Sequence, residues 1–229
     1  MSLSQNIKII QTNIKKATAK SGRGFSDVMV IAVTKTIPSD YLVAHLATLI
    51  QHDITHFGEN RVQELLDKHP HFSSPIQWHM IGHLQRNKVK YLPHKVATIQ
   101  SVDNWKLAQE INKVGLAHNI IFEVLVEVNI AGESSKHGLL PSELVSFVAQ
   151  LKAFSQLSVI GLMTVAPYTL TPEDNRGYFR QMYELYTQLQ QDPDLDIKHL
   201  SMGMTGDYTV AIEEGATMIR IGTGLFGER

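Results

Sequence analysis

Residues 198–227 read KHLSMGMTGDYTVAIEEGATMIRIGTGLFG, and how this stretch folds decides the architecture of the chain. A short candidate strand (198–201) enters the turn Ser201-Met202-Gly203-Met204-Thr205-Gly206-Asp207. A helical segment (208–214) follows, then a second candidate strand (218–222) and a second glycine-rich turn through Gly222, Thr223, Gly224 and Gly227. Strand, helix and strand in this order describe a parallel βαβ crossover. Working outward, the same alternation repeats. Candidate strands lie at 28–34, 54–57, 77–81, 96–100, 122–130, 159–165, 198–201 and 218–222, with helical segments at 41–51, 61–69, 86–91, 105–117, 141–154, 173–190 and 208–214. A further helix, 4–20, precedes the first strand. Pro141-Ser142-Glu143 and Pro172-Glu173-Asp174 supply the proline and acidic residues favoured in a first helical turn. Eight βα units in 229 residues fit one α/β domain, a single (β/α)8 TIM-type barrel with an extra N-terminal helix. That length is near the lower end of the usual span of roughly 200 to 400 residues. A doubly wound open sheet is the competing fold.

Composition narrows the function classes. The chain is 43% hydrophobic and 19% charged with a formal net charge of −1, a globular profile with no global field for nucleic acid or acidic membranes. The basic cluster Arg86-Asn87-Lys88-Val89-Lys90 reads as a solvated helix face. With no cysteine, disulfides, thiolate nucleophiles and cysteine metal sites are excluded together. No apolar run reaches the roughly 20 residues of a membrane span, and Met1 to Asn6 lack the features of a secretory signal. The expectation is a cytoplasmic protein and, with no obvious exposed apolar stripe, a monomer.

In a barrel, chemistry collects at the C-terminal ends of the strands, and phosphate often binds after strands seven and eight. The two glycine-rich turns fall there. Their backbone N–H groups can approach a phosphate closely, with the Ser201 and Thr223 hydroxyls adding hydrogen bonds. Lys35 ends the apolar run Val28 to Thr34, where a partly desolvated amine becomes a nucleophile toward aldehydes. Arg220, inside the eighth strand between Ile219 and Ile221, cannot shed its charge and needs a partner. Glu59, Asp207 or a ligand atom are the choices. Asn60, in Phe57-Gly58-Glu59-Asn60, is placed to cap the following helix or to meet a ligand oxygen, with capping slightly favoured. His79 and His83 lack the helical spacing and acidic partner of a zinc motif.

Taken together, Ala32-Val33-Thr34-Lys35, Phe57-Gly58-Glu59-Asn60 with Val62-Gln63-Glu64, Trp78-His79 with Ile81-Gly82-His83-Leu84-Gln85, Gly161-Leu162-Met163, Leu200-Ser201-Met202-Gly203-Met204 and Arg220-Ile221-Gly222-Thr223 closely resemble the pyridoxal phosphate homeostasis proteins. The resemblance spans nearly the whole chain. It implies a barrel similar to the N-terminal domain of bacterial alanine racemases, with pyridoxal 5′-phosphate (PLP) held by Lys35 as a Schiff base. It further implies that Ser201, Gly222 and Thr223 hold the phosphate, that Arg220 faces the pyridine nitrogen, that Asn60 lies beside the ring and that Met204 lines the pocket. The departures are Arg61 where an aromatic is common, Thr205 where serine is common, and Ala166.

A pyridine nitrogen facing a permanently protonated group is a weaker electron sink, so carbanion chemistry becomes harder. Related racemases also need a second domain, and the sequence ends at Arg229, directly after the eighth strand. The expectation is a protein of vitamin B6 balance that holds PLP and supplies it to PLP-dependent apoenzymes, without clear turnover. The alternatives are a PLP-dependent amino-acid racemase or decarboxylase, or a cofactor-free Schiff-base aldolase.

Overall fold

The structure, a computed structural model, describes residues 2–72 and 76–228. Eight parallel strands close into a barrel in sequence order: β1 (Met29–Val33), β2 (His56–Glu59), β3 (Gln77–Met80), β4 (Thr98–Val102), β5 (Phe122–Glu127), β6 (Leu157–Met163), β7 (His199–Met204) and β8 (Met218–Ile221), with β8 pairing back onto β1. The helices are α1 (Leu3–Lys20), α2 (Ser39–Gln51), α3 (Val62–Lys68), α4 (Trp105–His118), α5 (Leu144–Leu151), α6 (Arg176–Gln190), α7 (Tyr208–Glu213) and α8 (Thr223–Phe226). The closed barrel replaces the open-sheet alternative.

α1 begins with a capping box, in which Gln5 N–H donates to Ser2 Oγ and Ser2 N–H to Gln5 Oε1. Its buried residues Leu3, Ile7, Ile10, Ile14 and Ala17 recur at helical spacing and make one apolar stripe. The stripe lies on α7 and α8, where Asn6 Nδ2 donates to the Leu225 carbonyl (2.8 Å) and Asn13 Nδ2 to Tyr208 Oη (2.9 Å). The extra helix therefore braces the last βα unit.

Several boundaries differ from the sequence expectations. β4 runs two residues later than 96–100, because the polar Gln100 and Ser101 are fully buried in the barrel wall. β7 runs on to Met204. β5 stops at Glu127, after which Val128 forms an isolated bridge with Leu139 and donates its N–H to the Met163 carbonyl (2.8 Å). Residues 86–91 form a 3-10 helix, as do the proline-led turns Pro141–Glu143 and Pro172–Asn175 that open α5 and α6.

Outward-facing strand residues form the large core against the helices. In it Phe57 meets Trp78 (5.4 Å, 86°) and Phe72 (5.8 Å, 78°) edge to face, pairs worth about 0.5–1.5 kcal/mol beyond their buried area. A separate cluster, Ile31, Leu125, Ile160, Met163 and Met218, fills part of the barrel interior. Much of the remaining interior is polar. His56 Nδ1 meets His79 Nε2 (2.9 Å), His79 Nδ1 meets Thr98 Oγ1 (2.7 Å), and Gln100 Oε1 accepts from Ser201 Oγ (2.8 Å). Burial, reinforced by His56 and His199, lowers the His79 pKa to about 3, so its ring is neutral near pH 7. Gly161 permits the β6–β7 closure: a Cβ there would stand 1.9 Å from the His199 carbonyl oxygen.

Candidate functional site

Inward-pointing residues alternate along each strand. Met29 and Ile31 of β1 pack in the interior cluster, and Lys35 lies in the turn two residues past the end of that strand. On β8, Met218 and Arg220 set the parity that reaches Gly222, and on β2 His56 sets the one that reaches Asn60. Ala32 pairs with Ile221 and Val33 with Gly58. Lys35, Asn60 and Gly222 therefore top three adjacent strands at one corner of the mouth.

The turn bearing Lys35 is clamped from below. Ile37 N–H donates to the Thr34 carbonyl (3.0 Å) and closes the turn, while Thr34 N–H continues the ladder to Gly58 (3.0 Å). Thr36 holds φ of +64°, an uncommon state for a β-branched residue, and its N–H is fixed by Glu64 Oε2 (2.8 Å). Under the turn lies a buried ion pair. Lys68 Nζ donates to Glu59 Oε1 and to the Thr34 carbonyl, both at 2.7 Å, and Thr34 Oγ1 donates to the same Glu59 oxygen (2.6 Å). Burial pushes the Glu59 carboxyl up, and the hydrogen bonds from Lys68 and Thr34 hold it down. Lys35 itself is exposed.

Arg220 is answered differently from the sequence expectation. Glu59, offered there as a partner, belongs to Lys68. The Arg220 guanidinium, 4% exposed, donates from Nη1 to Ser201 Oγ and from Nη2 to the Thr164 carbonyl, both at 2.7 Å. These bonds use two of its five N–H donors. It makes no salt bridge among the described residues. Burial lowers its pKa to about 10 against the raising fields of Glu127 and Asp207, so it stays charged at neutral pH. Glu127, at the end of β5, is raised to about 7 by burial and by Asp103, with Arg220 opposing.

Ser201 lies fully inside the barrel with its hydroxyl between Gln100 and Arg220. At the rim the nearer hydroxyl is Thr205, whose Oγ1 accepts the Gly224 N–H (3.1 Å) and joins the β7 turn to the start of α8. Thr223 is exposed and Gly222 half-buried at that start. Gly203, at φ +92°, lies where a Cβ would come within 2.6 Å of Ala211. Met204 is 39% exposed and lines a cleft with Val165, Ala166 and Asp207. Asn60 does not cap α3, because Arg61 takes the N-cap position in extended conformation and no side chain closes it. Lys68 and Glu64 were not foreseen. Their signal was an i, i+4 acid–lysine pair following the acid of Gly58-Glu59-Asn60, which reads locally as a solvated helix face.

Compared with known proteins, residues 6–229 match the model of the alanine racemase N-terminal domain. A relative from Aquifex aeolicus, named pyridoxal phosphate homeostasis protein, is 42% identical over 100% of this chain and 99% of its own. The chain belongs to the pyridoxal phosphate homeostasis protein family. A second family member, from Pasteurella multocida, is 38% identical over 100% of this chain and 98% of its own. PipY of Synechococcus elongatus, solved with PLP bound, superposes with a TM-score of 0.77 at 34% identity, covering 88% of this chain and 93% of that one. Within the family frame, the Lys35 turn, the Asn60 segment and the Arg220 strand occupy one corner of one barrel mouth. Among the described residues no helix is long and apolar enough to cross a membrane.

Proposed function

We propose that this chain holds PLP covalently through Lys35 and serves PLP homeostasis by storing and releasing it, without turnover of its own. Family membership and the PLP-bound relative support the cofactor. The observation that carries the residue assignment is the corner itself, where Lys35 on its clamped turn and the buried, still-charged Arg220 belong to paired strands. The donor set fits PLP: an amine for the aldehyde, spare guanidinium donors for a ring nitrogen, and rim hydroxyls with backbone N–H groups for a phosphate.

When bound, PLP supplies an electrophilic aldehyde and an electron-withdrawing ring. Arg220 faces the ring nitrogen and disfavours its protonation, which weakens the ring as an electron sink. Ser201 and the Thr164 carbonyl orient that guanidinium, Asn60 lies beside the ring, and Met204 borders the pocket. Gly222 and Thr223 meet the phosphate together with Thr205, while Ser201 acts through Arg220. The protein works in the cytoplasm, as a monomer, passing PLP to apoenzymes that depend on it. A PLP-dependent racemase or decarboxylase is the competing reading, and Glu127 favours it, since a carboxyl titrating near 7 suits acid–base chemistry.

Absorbance spectra and amino-acid optical rotation separate these readings. With PLP the protein is expected to gain a visible band that Lys35→Ala lacks, and to change the rotation of no amino acid. Thr205→Ala should weaken PLP retention, whereas Ser201→Ala should shift the band. A visible band that survives in Lys35→Ala, or steady racemisation by the wild type, overturns the proposal.

A further inference from the structure

The loops after β3, β4 and β5 bring together His83, Asp103 and His137, with one ligand-capable atom of each within 4.8 Å of the other two. The two imidazoles stack, centroids 3.9 Å apart and 13° from parallel. Each supporting backbone is fixed independently. Ser101 Oγ donates to the Gly82 carbonyl (2.7 Å), and Gly82 sits so close to Asn60 that a Cβ would come within 2.5 Å of its carbonyl oxygen. Asp103 Oδ2 accepts the Gly138 N–H (3.3 Å), and Oδ1 accepts Asn104 Nδ2 (2.7 Å). Gly138, beside His137, holds φ of +108°, where a Cβ would meet Asn129 N at 2.6 Å. A carboxylate oriented by outer hydrogen bonds, next to two imidazoles on fixed loops, is a recurring arrangement around bound metals.

We propose that His83, Asp103 and His137 bind one divalent transition-metal ion of the zinc, cobalt or nickel class at the barrel mouth. Two imidazoles and one carboxylate suit these borderline ions, whereas calcium and magnesium favour all-oxygen shells. Ligand bonds of about 2.0–2.2 Å place two donors no more than about 4.4 Å apart across an ion. Tetrahedral binding brings donors to about 3.3–3.6 Å of one another, so the two exposed imidazoles must turn out of their parallel stack for both ring nitrogens to point at one ion. Three protein ligands leave a position open for water or an anion. The zinc pair considered from sequence, His79 with His83, does not form, since His79 is inside the barrel against His56 and His83 is on the rim. The site shares no residue with the Lys35–Arg220 corner. It does reach it electrostatically, because the Asp103 charge helps raise Glu127 and an ion on Asp103 would offset that charge.

The test is calorimetric titration of the chelator-treated full chain with Zn2+, paired with the visible spectrum of the Co2+ form. The expected result is one ion per chain, with His83→Ala and His137→Ala each weakening binding on the order of tenfold or more. His118→Ala, at the exposed C-terminal end of α4, should leave it unchanged. If circular dichroism shows an alanine variant misfolded, His83→Gln and His137→Gln replace it. Carbon NMR of the Glu127 carboxyl should show its pKa falling when Zn2+ is added. No stoichiometric binding, or binding that the His83 and His137 variants leave intact, would overturn the site.

Discussion

Replacing Lys68 with methionine tests how the turn of Lys35 is held. In the native chain the Lys68 ammonium, 5% exposed, donates to the fully buried Glu59 carboxylate and to the Thr34 carbonyl. Methionine keeps the stem and removes the charge. Glu59 then faces the interior with only Thr34 Oγ1 on Oε1, while Oε2 already lacks a partner. Breaking a buried pair by removing one member costs about 3–5 kcal/mol, and the orphaned Thr34 carbonyl adds to it. Urea denaturation at pH 7 should therefore show Lys68→Met destabilised by about 3–5 kcal/mol. Glu59→Gln combined with Lys68→Met should recover much of the loss, since it removes the stranded charge. Because Thr34 and Thr36 frame Lys35, the single variant should also bind PLP more weakly. A single variant within about 0.5 kcal/mol of wild type, the range of ordinary surface substitutions, would refute the clamp.

Two other predictions concern the barrel and its mouth. Gly161→Ala forces a Cβ against the His199 carbonyl oxygen and should cost about 3 kcal/mol or more in urea denaturation; a loss under about 1 kcal/mol would mean β6 and β7 are not so closely apposed. Glu127→Gln should change how stability depends on pH. Because the folded carboxyl is raised from 4.5 to about 7, its favourable contribution is complete below pH 4.5 and is lost as pH rises through 7, amounting to about 3 kcal/mol by pH 8. The variant should therefore gain on the wild type between pH 5 and pH 8, and a difference that stays flat across that range would contradict the raised carboxyl.

The barrel was legible because its signal is periodic. Apolar runs such as Val28 to Val33 and Met218 to Ile221, separated by helical segments, specify parallel strands whatever their exact ends. Lys35 and Arg220 stand out in the sequence because a cation beside or inside such a run is conspicuous. What local reading could not supply was partnership. Arg220 has carboxylates near in sequence and in space, yet its hydrogen bonds go to Ser201 and Thr164, which are brought to it by β6 and β7. Lys68 looks like any helical lysine paired at i, i+4 until closure of β1 against β2 places it under Thr34. Thr36 carries no sequence mark of its left-handed backbone, since a β-branched residue is disfavoured there and is held by Glu64. The end of β4 was misread for a related reason: Gln100 and Ser101 resemble a strand terminus, but a polar barrel interior gives them partners in Ser201 and the Gly82 carbonyl.

The most direct test is borohydride reduction of the PLP-treated protein followed by peptide mapping. The account predicts that the visible band disappears on reduction and that a stable pyridoxyl group is found on Lys35, one per chain. A label on another lysine, or a protein that acquires neither band nor label, would contradict it.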